Sequence, residues 1–139
     1  MDATDRLAVI DTLNRYGHAY DQGDFEMLAR CFTENAVFTI DGGIGDMPTQ
    51  MRGRDEIVAS MRARRAATEA AQRRHLITNI MMDPDGPDRV TAACYLLLGS
   101  TEEGTLRLPT TARYTDVLER DGDHWAIAQR TLRLDGSVG

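Results

Sequence analysis

The spacing of apolar side chains changes period once along this chain, and that change fixes what it can fold into. Up to about residue 70 the apolar positions recur at helical spacing; from His75 onward they alternate. Helices first and strands after them is the α+β pattern. Leu7, Val9, Ile10, Leu13, Tyr16, Gly17 and Tyr20 predict a helix over residues 4–21, with Thr4 or Asp5 as its N-cap and Gly23 as its stop. Asp24 opens a short second helix with Phe25, Leu28, Ala29 and Phe32 inward. Ala36–Ile40 reads as a short strand, 41–53 as a glycine-rich loop, and 54–70 as a third helix with Ile57, Val58 and Met61 on its apolar side.

The alternating half divides at its turns. HLITNIMMD is one strand and DPDGPD a turn, because Asp-Pro and Asp-Gly set its backbone angles. Arg89–Thr101 and Thr105–Arg120 are long strands joined by TEEG. RDGD leads into Trp125–Leu134, and the tail GSVG reads as frayed. A long antiparallel sheet twists and must cover one face. The helices are the cover at hand, so the expected architecture is a curved antiparallel sheet closed by N-terminal helices around a pocket, in one domain spanning 1–139.

Composition narrows the functions. The net charge of −6 lacks the basic footprint of a nucleic-acid binder. All 16 basic residues are arginine, which excludes Schiff-base chemistry on a lysine. Cys31 and Cys94 have no zinc-type spacing and read as buried thiols. No apolar run reaches the roughly 20 residues a membrane helix needs, and no signal-peptide core is present, so a cytoplasmic protein is expected. Neither metal nor cofactor is expected.

With only 3 histidines, acid–base chemistry near neutral pH has few places to sit. His18 and His124 read as surface residues. His75 opens a strand; if it points inward, Ile77 and Asn79 point the same way. Tyr16 and Asp21 lie near the end of the first helix, five positions apart, which rotates them about 140° from each other. Both can face one cavity only if that helix ends near Tyr20. On the last strand, one register puts Ala128, Arg130 and Leu132 inside, the other Trp125, Ile127 and Gln129; a buried Arg130 would require a carboxylate or an anionic ligand group. Phenol, carboxylate and imidazole together make a proton-transfer set.

The stretch RYGHAYDQGDFEMLARCFTENAVFTI resembles the opening of SnoaL-like proteins of the nuclear-transport-factor-2-like superfamily. The similarity continues through GRDEI, HLITN and WAIAQR and covers about residues 5–134. It implies a conical α+β barrel, a cofactor-free active site and a homodimer or homotrimer. The positions of Asp21 and His75 resemble the aspartate–histidine dyad of the bile-acid 7α-dehydratase and the hexachlorocyclohexane dehydrochlorinase, with Tyr16 at the dehydratase's tyrosine and Arg130 at a pocket arginine. The second histidine of scytalone dehydratase has no counterpart. The expected activity is that of a dehydratase, lyase or isomerase acting on a hydrophobic, polycyclic-sized small molecule, with a cyclase, an epoxide hydrolase or a non-catalytic binding module as alternatives. Catalysis would fall to Tyr16, Asp21 and His75. Substrate contacts would fall to Asn79 and Arg130 and to an apolar wall of Val9, Leu13, Phe32, Phe38, Met61 and Met81.

Overall fold

The computed structural model describes residues 1–136; the last three residues of the tail lie outside the described residues. Three helices precede the sheet: α1 (Ala3–Gln22), α2 (Phe25–Arg30) and α3 (Arg54–Ala67). Six strands, β1 (Phe32–Asp41), β2 (Gln50–Arg52), β3 (Gln72–Pro84), β4 (Arg89–Glu102), β5 (Thr105–Asp121) and β6 (His124–Leu134), form one sheet in the order β2-β1-β6-β5-β4-β3. The helices cover one face of it. The sheet is curved and open rather than a closed barrel, and it is mixed, since β1 runs parallel to β6.

α1 begins on a reciprocal cap. The Asp2 carboxylate accepts from the Asp5 backbone N–H (2.9 Å), and the Asp5 carboxylate accepts from that of Asp2 (3.2 Å). The cap is therefore Asp2, not Thr4 or Asp5. Val9, Leu13, Tyr16 and Tyr20 form its buried stripe, and Gly23 ends it with a left-handed φ of 73°. Thr12 donates to the carbonyl of Trp125 (2.6 Å), and the Trp125 indole donates to Asp5 (3.2 Å), tying α1 to β6.

Phe32 starts β1 instead of lining α2, and the glycine-rich segment contains the short β2, paired with Val37–Thr39. Two bulges change which residues face inward. On β3, three steps from Thr78 to Met81 oppose two steps on β4, and Asn79 takes a left-handed φ of 55°. On β6 an extra residue between Ile127 and Gln129 lets Trp125 and Ile127, and also Arg130 and Leu132, face the core. Each of the two expected registers therefore holds for half of that strand.

Candidate functional site

α1 and β3 cross at Gly17. A Cβ there would stand 3.0 Å from the His75 carbonyl oxygen. The missing side chain lets the strand lie against the helix, and Tyr20 and Asp21, three and four residues on, then share the helix face that meets His75. The helix needs no early end: it runs to Gln22, and Tyr16 and Asp21 approach His75 from different sides.

Asp21 commits both carboxylate oxygens to one residue. Oδ2 accepts from the His75 backbone N–H (2.9 Å) and Oδ1 lies 2.5 Å from Nδ1 of the same residue. The two side chains are 4% and 7% exposed, so the pair is shielded from solvent. Tyr20 stacks on the imidazole with centroids 4.7 Å apart, and Tyr16 meets it edge-on at 6.3 Å. Burial holds the His75 pKa below the usual histidine value, against the opposing pull of the Asp21 hydrogen bond and charge. Near neutral pH the ring is then uncharged. A carboxylate at Nδ1 selects the Nδ1–H tautomer, which leaves the Nε2 lone pair free to take a proton.

Burial pushes the Tyr16 phenol well above its usual pKa, so it remains a hydrogen-bond donor; its hydroxyl lies 4.0 Å from the Met61 sulfur. Arg130 sits behind Tyr16. Its guanidinium donates to both oxygens of Asp116 (2.8 and 2.9 Å) and lies 4.5 Å from the Tyr16 ring and 3.7 Å from that of Tyr114. Burial works against its charge, but Asp116 more than offsets this and raises the pKa. Arg130 thus has the carboxylate that the sequence required of it if buried, and it supports Tyr16 rather than taking the substrate-anchoring role that the family resemblance implied.

The hollow beside the dyad is lined by Tyr16, Tyr20, Phe38, Met61, His75, Leu96 and Tyr114 and, on the side that opens to solvent, by the half-buried Ile44, Met47, Arg64, Arg73 and Leu134. It is narrow. Its open volume is about 30 Å³, room for one or two water molecules. A larger cleft of about 330 Å³ adjoins it, bordered by Tyr20, Asp21, Arg65, Gln72, Arg73 and His75.

The expected wall is met in part. Phe38 and Met61 line the hollow; Val9, Leu13 and Phe32 are buried in the core behind it. Asn79 and Met81 are not in the site: the β3 bulge turns both outward, and Met81 is 65% exposed. Cys31 and Cys94 are buried free thiols whose pKa burial raises to about 11, which leaves them protonated and poorly nucleophilic. His18 is exposed, while His124 is half-buried, its Nε2 3.0 Å from the Arg30 carbonyl. Among the described residues, no three His, Cys, Asp or Glu side chains are grouped to hold a metal ion, and no helix is long and apolar enough to cross a membrane.

Sequence reasoning missed Tyr20, Gly17 and Asp116. The first two had a signal, since both lie one turn from the residues it singled out. Asp116 had another: it interrupts the inward alternation Ala112, Tyr114, Leu118, where a carboxylate requires a cation opposite.

Solved structures share this fold over nearly the whole chain. A protein from Catenulispora acidiphila, solved in complex with S-DNPA, is 29% identical, with a TM-score of 0.82 and 96% of each chain covered. An NTF2-like protein with a cystatin-like fold from Novosphingobium aromaticivorans is 24% identical, with a TM-score of 0.84, 96% of this chain and 84% of that chain covered. ActVI-ORFA from Streptomyces coelicolor is 20% identical, with a TM-score of 0.80, 94% of this chain and 96% of that chain covered. No curated protein matches the chain. The model of the SnoaL-like domain matches residues 1–131, and the chain therefore belongs to the SnoaL-like family, which includes polyketide cyclases and other enzymes that act on small molecules.

Proposed function

We propose that this chain is a cofactor-independent acid–base enzyme, a dehydratase, lyase or isomerase, in which His75 removes a proton from carbon. The observation that carries this reading is the double commitment of Asp21 to His75, at Nδ1 and at the backbone N–H. It fixes the ring, selects its tautomer and leaves Nε2 as the base. Nε2 takes the proton from a carbon next to a carbonyl. The electron pair either expels a β-oxygen or moves into conjugation. Tyr16, kept protonated by burial, donates a hydrogen bond to the oxygen that gains charge. The imidazolium, steadied by Asp21, returns its proton to the departing oxygen or to the far carbon.

The apolar lining suits a hydrophobic guest. A polycyclic guest exceeds the present hollow, so the wall must yield. Most of the lining belongs to helices and strands; Ile44 and Met47 belong to the segment between β1 and β2, which is where such yielding would cost the fewest backbone hydrogen bonds.

A second reading, a polyketide cyclase or epoxide hydrolase, has Asp21 acting directly on substrate. It is supported by the family's membership and weakened by the engagement of both Asp21 oxygens. The test is turnover of a panel of hydrophobic β-hydroxy ketones and β,γ-unsaturated ketones in deuterated water. Wild type should eliminate water from the first or shift the double bond of the second, with deuterium exchange, and His75→Gln should do neither. No turnover of either class, or turnover that His75→Gln retains, contradicts the reading.

A further inference from the structure

Two arginines at the mouth of the hollow are not accounted for by the chemistry above. Arg64 lies on the last turns of α3, and Arg73 lies two residues before His75 on the same face of β3. Nε of Arg64 and Nη1 of Arg73 are buried without a hydrogen-bond partner in the protein. Seven other arginines make carboxylate ion pairs: Arg15, Arg30, Arg54, Arg89, Arg120, Arg130 and Arg133. Among the described residues, Arg64 and Arg73 have no carboxylate within that reach. Both border the inner hollow, and Arg73 also borders the larger cleft and packs over the Tyr20 ring at 5.9 Å. They line the hollow together with Ile44, Leu96, Leu98 and Leu134, and both also border a more polar cleft with Thr68, Ser100 and Glu102; a buried cationic N–H without a partner is costly. A planar anion resolves that cost, because a guanidinium N–H directed at a carboxylate gives a short, charge-assisted hydrogen bond.

We propose that Arg64 and Arg73 together form a carboxylate-recognition site at the mouth of the hollow, so that the hydrophobic substrate of the acid–base reaction, on the reading above, carries its carboxylate at the end nearest solvent. The carboxylate rests between the two guanidinium groups, and the apolar body points past Tyr20 toward Nε2 of His75. Arg73 then sets the distance between the anchored end and the reacting carbon, since it shares a strand face with the base.

The test needs no turnover. Binding of 2-naphthoate and of 2-naphthamide is measured by calorimetry on the full chain. Wild type should bind the carboxylate at least about tenfold more tightly, the equivalent of one good charged contact. Arg64→Gln and Arg73→Gln should each remove most of that preference. Arg62→Gln, whose guanidinium packs over Phe25 at 4.2 Å, should keep it, and so should His75→Gln. Equal binding, no binding of the carboxylate, or a preference that survives both arginine changes overturns the site. If either variant fails to fold, the side-chain N–H resonances of Arg64 and Arg73 in wild type decide: they shift on adding 2-naphthoate, or the site is wrong. A preserved preference in a protein whose His75→Gln form still turns over would keep the anion site and remove the acid–base reading. The opposite pattern would do the reverse.

Discussion

His75 is held on three sides: by Asp21 at Nδ1 and the backbone, by Tyr20 on one ring face, and by the edge of Tyr16. A ring fixed this way differs from a solvated histidine in which nitrogen is free and in how readily it takes a proton. A positioned general base contributes about 10²–10⁴-fold, so His75→Gln should lower kcat by at least that much while the far-ultraviolet spectrum stays native. Asp21→Asn should cost no more than His75→Gln if the carboxylate only orients. A larger loss from the aspartate change, seen in single-turnover rates, would favour direct attack by Asp21. The pair was legible in the sequence through the resemblance of RYGHAYDQGD and RRHLITN to the family. Tyr16 and Asp21 do point apart, as about 140° of rotation requires on a helix that runs to Gln22: Tyr16 lines the inner hollow and Asp21 borders the larger cleft. β3 crosses α1 at a glycine between them, so two faces of the helix reach the same imidazole.

The elements decide how rigidly that geometry is kept. Gly17→Ala isolates the α1–β3 crossing. Alanine favours a helix over glycine by about 1 kcal/mol, whereas a Cβ 3.0 Å from the His75 carbonyl pushes the strand at a cost of about 1–3 kcal/mol. The denaturation midpoint should therefore fall only modestly. Activity should fall about tenfold or more, because small misplacements of a base are expensive. Unchanged kcat with a shifted midpoint would show that the crossing does not position the base. The β5–β6 pair supports Tyr16 from behind. Asp116→Asn leaves Arg130 buried without its counter-charge and should cost about 3–5 kcal/mol in urea unfolding. The double change Asp116→Leu with Arg130→Met should cost clearly less; a double change as costly as the single one would contradict this account of the pair. Strand existence was legible from alternation, but strand facing was not. A bulge inserts one residue and inverts the parity beyond it, which is why Asn79 and Met81 were read as inward and why β6 fitted neither simple register. β2 escaped because three residues carry too little periodicity to register.

Over the whole molecule, burial of an uncharged histidine couples folding to pH. The unfolded chain binds a proton at His75 as pH falls through about 6.5, and the folded chain does so only at lower pH. More protons on the unfolded state mean that stability is full above about pH 6.5 and is lost as pH falls from there toward the folded pKa. The slope is about 1.4 kcal/mol per pH unit for one proton. Urea unfolding of wild type and His75→Gln between pH 7.5 and 5, a range set by the unperturbed value of about 6.5, should diverge in slope only at the acid end. Parallel curves would contradict a depressed pKa. The order of helices and sheet was readable from the change in period, but the parallel β1–β6 contact and the narrowness of the hollow were not. Both are products of long-range packing that no local pattern encodes.

The central claim concerns one nitrogen, and it is testable without a substrate. Nitrogen-15 NMR of the imidazole of His75, titrated from pH 8 downward through about 6.5, reports tautomer and charge directly. The account predicts a proton on Nδ1, a bare Nε2 near neutral pH, and a midpoint below about 6.5. A ring already cationic at neutral pH, or one that carries its proton on Nε2, would contradict it.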